Sequence, residues 1–129
     1  MSYGTALVDT IQSSTTGTPT QFNDGSGTQI GTLCRAWVSF AGSSTPTINA
    51  SFNVSSITYT ATGTFTVNFT NALPDNKYAF CTSAGNLNTT NYGCYQYGTT
   101  LSTTGISINT SSFVGVSTNV SNNCVSIFR

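Results

Sequence analysis

Between positions 86 and 97, four amide side chains, Asn86, Asn88, Asn91 and Gln96, are interspersed with three phenols, Tyr92, Tyr95 and Tyr97. Aromatic rings stack on the apolar faces of sugars, and planar amides both donate and accept hydrogen bonds. This mixture is therefore the chemistry of glycan binding. The same residues also suit a structural role, with the tyrosines as cross-strand pairs and the asparagines in a loop. Catalysis has far less to draw on. His and Glu are absent, and Asp9, Asp24 and Asp75 are the only carboxylates, so the usual general bases and triads are lacking. A glycosidase needs two carboxylates across the scissile bond. Here Asp24 and Asp75 stand in turn sequences and Asp9 in a Ser/Thr-rich leading segment, while a Ser nucleophile would find only Lys77 as an amine base. The chain is not expected to be an enzyme or to carry a catalytic or cofactor site.

The four cysteines are Cys34, Cys81, Cys94 and Cys124. None forms a C-x-x-C pair and there is no His, so no metal site is expected. Four cysteines allow three disulfide connectivities. Cys81 with Cys94 is the preferred pair, because the two flank one loop on neighbouring predicted strands. The alternative is four buried thiols, as a reducing compartment would leave them. Cys34 shares a strand face with Ala36, Val38 and Phe40, which favours its burial.

Composition narrows the partners. At 129 residues with 37% hydrophobic side chains, the chain suits one domain with a real core. Only 5% of residues are charged and the net charge is zero, against about a quarter charged in ordinary domains. Nucleic acid is not an expected partner, since phosphate binding needs clustered Lys or Arg and Arg35, Lys77 and Arg129 are scattered. Membrane insertion is not expected, because no apolar run is long enough to span a bilayer. Neither is a secretory leader, for want of a basic start and a long apolar run. Ser, Thr, Asn, Gln and Gly must cover the surface, and a surface without self-repulsion associates readily.

The elements that position these residues read as strands, because apolar side chains recur at every second position. Residues 47–54 alternate Ile48, Ala50, Phe52 and Val54 with polar neighbours, the pattern of one half-buried strand. Residues 57–69 read as a hairpin turning at Thr62 and Gly63. Asp24 to Gly27 and Leu73 to Asn76 read as turns. Further strands are expected at 77–82, 92–97, 106–109, 113–118 and 124–128, with a loop at 85–91. No helix is expected, since Glu is absent and β-branched residues dominate.

Three strings within residues 28–80 carry a family wording: LCRAWVSFAG (33–42), NASFNVSSIT (49–58) and TVNFTNALPDNKYAF (66–80). Together they resemble a module found in tail-fibre and other appendage proteins of bacteriophages, notably those of cyanobacteria and marine bacteria. Asn49 stands where that module commonly has Arg, and Ser39 and Ala41 where it commonly has Asn. The resemblance brings no catalytic or ligand-binding residues with it. It implies a virion protein, assembled in the host cytoplasm, that forms a homotrimer about a threefold axis and contacts other virion proteins of tail or capsid.

Taken together, the expectation is an all-β fold, an antiparallel sandwich or jelly-roll-like barrel, trimeric, spanning 28–129 behind an extended N-terminal arm at 1–27. Its expected role is that of a tail-fibre or short appendage domain contacting host surface polysaccharide. The alternative is a capsid-decoration (cement) protein that reads no receptor. Trp37, in a strand with Val38 and Phe40, is expected in core or intersubunit packing. Arg35, mid-strand, fits an ion pair, an interface stack or a solvated position equally.

Overall fold

The computed structural model describes residues 7–12, 14, 20–86, 92–98 and 101–129. The chain is all-β, with no helix among the described residues, and divides into two compact units, Met1–Leu33 and Cys34–Arg129. In the first unit, β1 (Gln21–Asn23) pairs antiparallel with β2 (Gln29–Thr32). The expected turn joins them: Asp24 Oδ1 accepts from the Ser26 amide at 2.9 Å, the Ser26 hydroxyl at 2.7 Å and the Thr28 amide at 2.8 Å.

The second unit is a sandwich of two four-stranded antiparallel sheets. Its strands are β3 (Cys34–Ala41), β4 (Thr47–Phe52), β5 (Val54–Ala61), β6 (Thr64–Phe69), β7 (Ala79–Gly85), β8 (Tyr92–Gln96), β9 (Gly105–Ser112) and β10 (Asn122–Phe128). One sheet runs β4-β3-β10-β7 and the other β5-β6-β9-β8. The first and last sandwich strands, β3 and β10, are thus neighbours. Period-two alternation builds the core between the sheets. Ala36, Val38, Phe40, Val125 and Ile127 of the β3–β10 pair face Phe65, Val67, Ile106 and Ile108 of the β6–β9 pair, all buried. Phe65 anchors it, edge-on to Phe40 at 5.3 Å and tilted against Tyr59 at 5.9 Å. Such aromatic pairs are worth about 0.5–1.5 kcal/mol beyond their buried area.

The sheets stay open at their edges, so the fold is a sandwich and not a closed barrel. At one side β7 and β8 are bridged by a side chain instead of a backbone ladder, with Thr82 Oγ1 donating to the Cys94 carbonyl at 2.7 Å. At the other side, the expected single strand over 47–54 is two strands broken at a corner. Asn53 lies in the left-handed region at φ 55°, which Asn tolerates better than most residues. Its amide holds the corner, donating to the Arg35 carbonyl at 3.1 Å and the Asn71 carbonyl at 3.2 Å and accepting from the Asn71 amide at 2.8 Å.

A second departure has the same origin in local geometry. The β3–β4 register shifts between Ser39 and Phe40, so that Phe40 faces Ile48 whereas Ser39 faces Ala50. This bulge at Asn49 changes the parity of β4. Ile48 packs against the core, while Phe52 turns to the outer face opposite Trp37. Phe52 is 55% exposed and Trp37 38%.

The 57–69 hairpin forms as β5 and β6, with Gly63 at φ 73° in its turn. A Cβ at Gly63 would also run into the Thr110 carbonyl. By contrast, 113–118 is a looped excursion and not a strand. Ser112 N donates to Val116 O and Gly115 N to Ser112 O, each at 2.9 Å, with Gly115 at φ 80°.

Candidate functional site

The loops of the sandwich gather at two ends of unlike character. At one end lie the Asn53 corner, the 70–78 loop and the C-terminus. Leu73 and Tyr78 are buried there, and the Tyr78 hydroxyl donates to the Ser102 and Gly105 carbonyls at 3.1 and 3.2 Å. Burial raises the Tyr78 phenol above its ordinary pKa. All four charged residues of Cys34–Arg129 belong to this end: Arg35, Asp75, Lys77 and Arg129. Arg129 grips Asp75 with two bonds, Nε to Oδ1 at 2.9 Å and Nη2 to Oδ2 at 2.7 Å. Those bonds, with the Lys77 amide behind them, hold the Asp75 carboxyl at about 2. In the first unit, Asp24 is likewise lowered, chiefly by the Ser26 hydroxyl. Both carboxylates are therefore occupied in turns and loops.

The opposite end carries no charge among its described loops. It is knitted by backbone and amide contacts: Gly42 N to Val120 O at 2.9 Å and Gly63 N to Asn119 Oδ1 at 2.7 Å. Asn86 belongs to this bracing. Its Oδ1 accepts from both the Ser121 amide and the Ser121 hydroxyl, and its Nδ2 reaches the Tyr92 hydroxyl at 3.5 Å.

The glycan-binding candidates are not brought together as one patch. Asn88 and Asn91 lie outside the described residues. Strand alternation divides the rest. Tyr92 and Gln96 pair with Ser112 and Ile108 and are half-buried toward the interior side of β8. Tyr95 pairs with Asn109 on the outer face, and Tyr97 follows with the same parity; both are exposed. The Tyr95 hydroxyl donates to Asn109 Oδ1 at 2.9 Å. Asn109 in turn donates to Thr64 Oγ1 at 2.9 Å and Ser117 Oγ at 3.2 Å. Further along that face, Thr66 and Ser107 share a hydroxyl contact at 2.9 Å, and Asn68 donates to Thr58 Oγ1 at 2.9 Å. The outer face of β5-β6-β9-β8 is thus a cross-linked layer of hydroxyls and amides with a tyrosine row at its β8 edge.

A cleft of about 360 Å³ opens where β8 and β9 meet the 113–116 loop, lined by Tyr92, Gly93, Ser111, Ser112, Phe113 and Gly115. That volume falls among small-ligand sites, roughly 300–1,000 Å³. Phe113 stands 85% exposed at its wall. Ser112 Oγ is buried with no hydrogen-bond partner, a state that costs on the order of 1–3 kcal/mol until a partner is supplied. Of these lining residues, only Tyr92 was legible as a site candidate. The signal for Phe113 and Gly115 is the Phe-Val-Gly-Val string, in which a glycine interrupts an apolar run.

The cysteines are free thiols. Cys81 sits on the exposed outer face of β7, whereas Cys94 turns inward on β8 and packs against the core. Burial pushes the Cys94 thiol up to about 11. Cys34 is half-buried and Cys124 exposed. No three potential metal ligands gather among the described residues, and no helix there is long and apolar enough to cross a membrane.

Fold and site together define an all-β sandwich with one charged and one uncharged end. No known protein family, curated protein or solved structure matches the chain.

Proposed function

We propose that the chain is a structural protein of a bacteriophage particle, a tail-fibre or short appendage domain that touches a host surface glycan. The observation that carries this reading is the unlike character of the two ends. The strings that resemble phage appendage modules cover β3 to Gly42, the end of β4, the Asn53 corner, most of β5 and β6, and the 70–78 loop, so they include the loops of the charged end. That end, where β3 begins at Cys34, faces the particle and contacts other virion proteins. The uncharged end and the Tyr95–Tyr97 edge face outward. Their exposed aromatic rings and hydroxyl-rich layer offer stacking and hydrogen bonding without charge.

Phe52 and Trp37 fit the assembly half of this reading. An exposed apolar pair on a sheet face is more useful against a second copy than against water, and three copies about one axis would cover it. The same pair favours the alternative reading, capsid decoration, in which it rests on a capsid subunit.

Adsorption of purified protein to host cells, competed by host polysaccharide and lost in Tyr95→Ala, supports the fibre reading. Binding to capsid shells without any cell binding overturns it in favour of decoration. Electron microscopy of labelled virions gives the location directly.

A further inference from the structure

Resting on the glycan-binding reading above, we infer that the cleft between β8, β9 and the 113–116 loop is a subsite for one neutral sugar residue, stacked on Phe113. Three independent features converge on it. Phe113 presents a ring 85% exposed at the cleft wall, where the folding of the sandwich gains nothing from it. An aromatic face so placed binds the axial C–H face of a pyranose. Beside it, Ser112 also lines the cleft, and its buried Oγ has no hydrogen-bond partner. Gly93, paired with Ser111 on the strand face opposite to Ser112, leaves that side of the cleft open, since the nearest atom to a Cβ built there is Ser111 Oγ at 3.9 Å.

The absence of charge sets the ligand class. None of the lining residues is ionic, and the cations of the sandwich, Arg35, Lys77 and Arg129, belong to its other end. A uronate or sialate carboxylate would lose water here and meet no cation. A neutral hexose exposes only hydroxyls and C–H faces, which the cleft can satisfy. A lipid surface is the competing partner for Phe113 with its exposed neighbours Val114 and Val116. Interfacial anchors normally set Lys or Arg beside their apolar tips, and this loop has none.

The test is a printed array of neutral gluco-, manno- and galacto-oligosaccharides beside uronate- and sialate-bearing ones, probed with the full chain, Phe113→Ala, Gly93→Val, Ser112→Ala and Tyr95→Ala. Phe113 is exposed and Gly93 has open space, so these two variants keep the fold, which circular dichroism checks. Binding to neutral sugars, weakened about tenfold by Phe113→Ala (about 1.4 kcal/mol) and blocked by Gly93→Val, supports the subsite. Neutral-sugar binding lost in Tyr95→Ala but untouched by Phe113→Ala and Gly93→Val overturns the cleft and leaves the glycan reading standing. Preference for the acidic sugars overturns the ligand class. Binding to none of them, or Phe113-dependent binding to phosphatidylcholine–phosphatidylglycerol vesicles instead, overturns both.

Discussion

Phe52 stands directly across from Trp37 on the outer face of the β3–β4 pair, although the alternation 48-50-52-54 assigns Phe52 to the same face as Ile48. The bulge at Asn49 separates them and turns Phe52 outward, beside Trp37, which the alternation of β3 already points away from the core. A single face thereby acquires an aromatic pair that the core does not need.

If that pair is an assembly surface, Trp37→Ser combined with Phe52→Ser should shift a self-associated protein to monomer, read by multi-angle light scattering at micromolar concentration. Thermal stability should fall modestly, because Phe52 is 55% and Trp37 38% exposed and the cross-strand pair is lost. A wild-type protein that is already monomeric at that concentration would remove the trimer.

Asn53 makes a separate prediction about the corner. Asn53→Gly keeps the left-handed backbone but loses the amide clamp, and should cost about 1–2 kcal/mol. Asn53→Ala loses the clamp and also strains the backbone, and should be worse by about 1 kcal/mol. Urea unfolding decides it: a Gly variant as damaged as the Ala variant would show that φ at this position is not constrained.

The Asp75–Arg129 pair sets an acid limb. With its folded value at about 2 and an ordinary value of 3.8, Asp75 binds protons more weakly in the folded state. Its stabilising contribution is complete above about pH 4 and disappears as pH falls toward 2. Arg129→Gln should flatten the stability profile across that window without abolishing the slope, since Asp24 is lowered as well. An unchanged acid limb in Arg129→Gln would mean that the pair does not form in solution.

Thiol labelling should follow burial. At pH 8, iodoacetamide should modify exposed Cys81 and Cys124 well before Cys94, whose thiol is pushed up to about 11 by burial. Peptide mapping under non-reducing conditions should find Cys81 and Cys94 unlinked, as their strands aim them at opposite sides of the sandwich wall. Equal labelling rates, or a recovered Cys81–Cys94 peptide pair, would contradict this placement.

Much of the architecture was legible because period two is written into individual strands. Residues 64–69 alternate apolar with polar side chains, and 34–40 do so apart from Trp37; both bury the expected face. The candidate site was less legible. Tyr92, Tyr95 and Tyr97 read as one cluster, but alternation itself divides them, sending Tyr92 to the interior side and Tyr95 outward. The 113–118 segment reads as a strand because Val114 and Val116 keep the period, but Gly115 at φ 80° breaks the backbone there.

By itself the sequence determined the all-β class, the hairpin around Gly63, the scarcity of charge and the shortage of catalytic groups, since each depends on residue type or on neighbours two positions apart. Only the tertiary structure decided where Phe52 points, that Asn53 turns a corner, that the charges of the sandwich collect at one end and that Phe113 walls a cleft with Ser112. These depend on register and on contacts between segments far apart in the chain. A bulge of one residue is enough to reverse a face, and no local pattern records which strand will receive it.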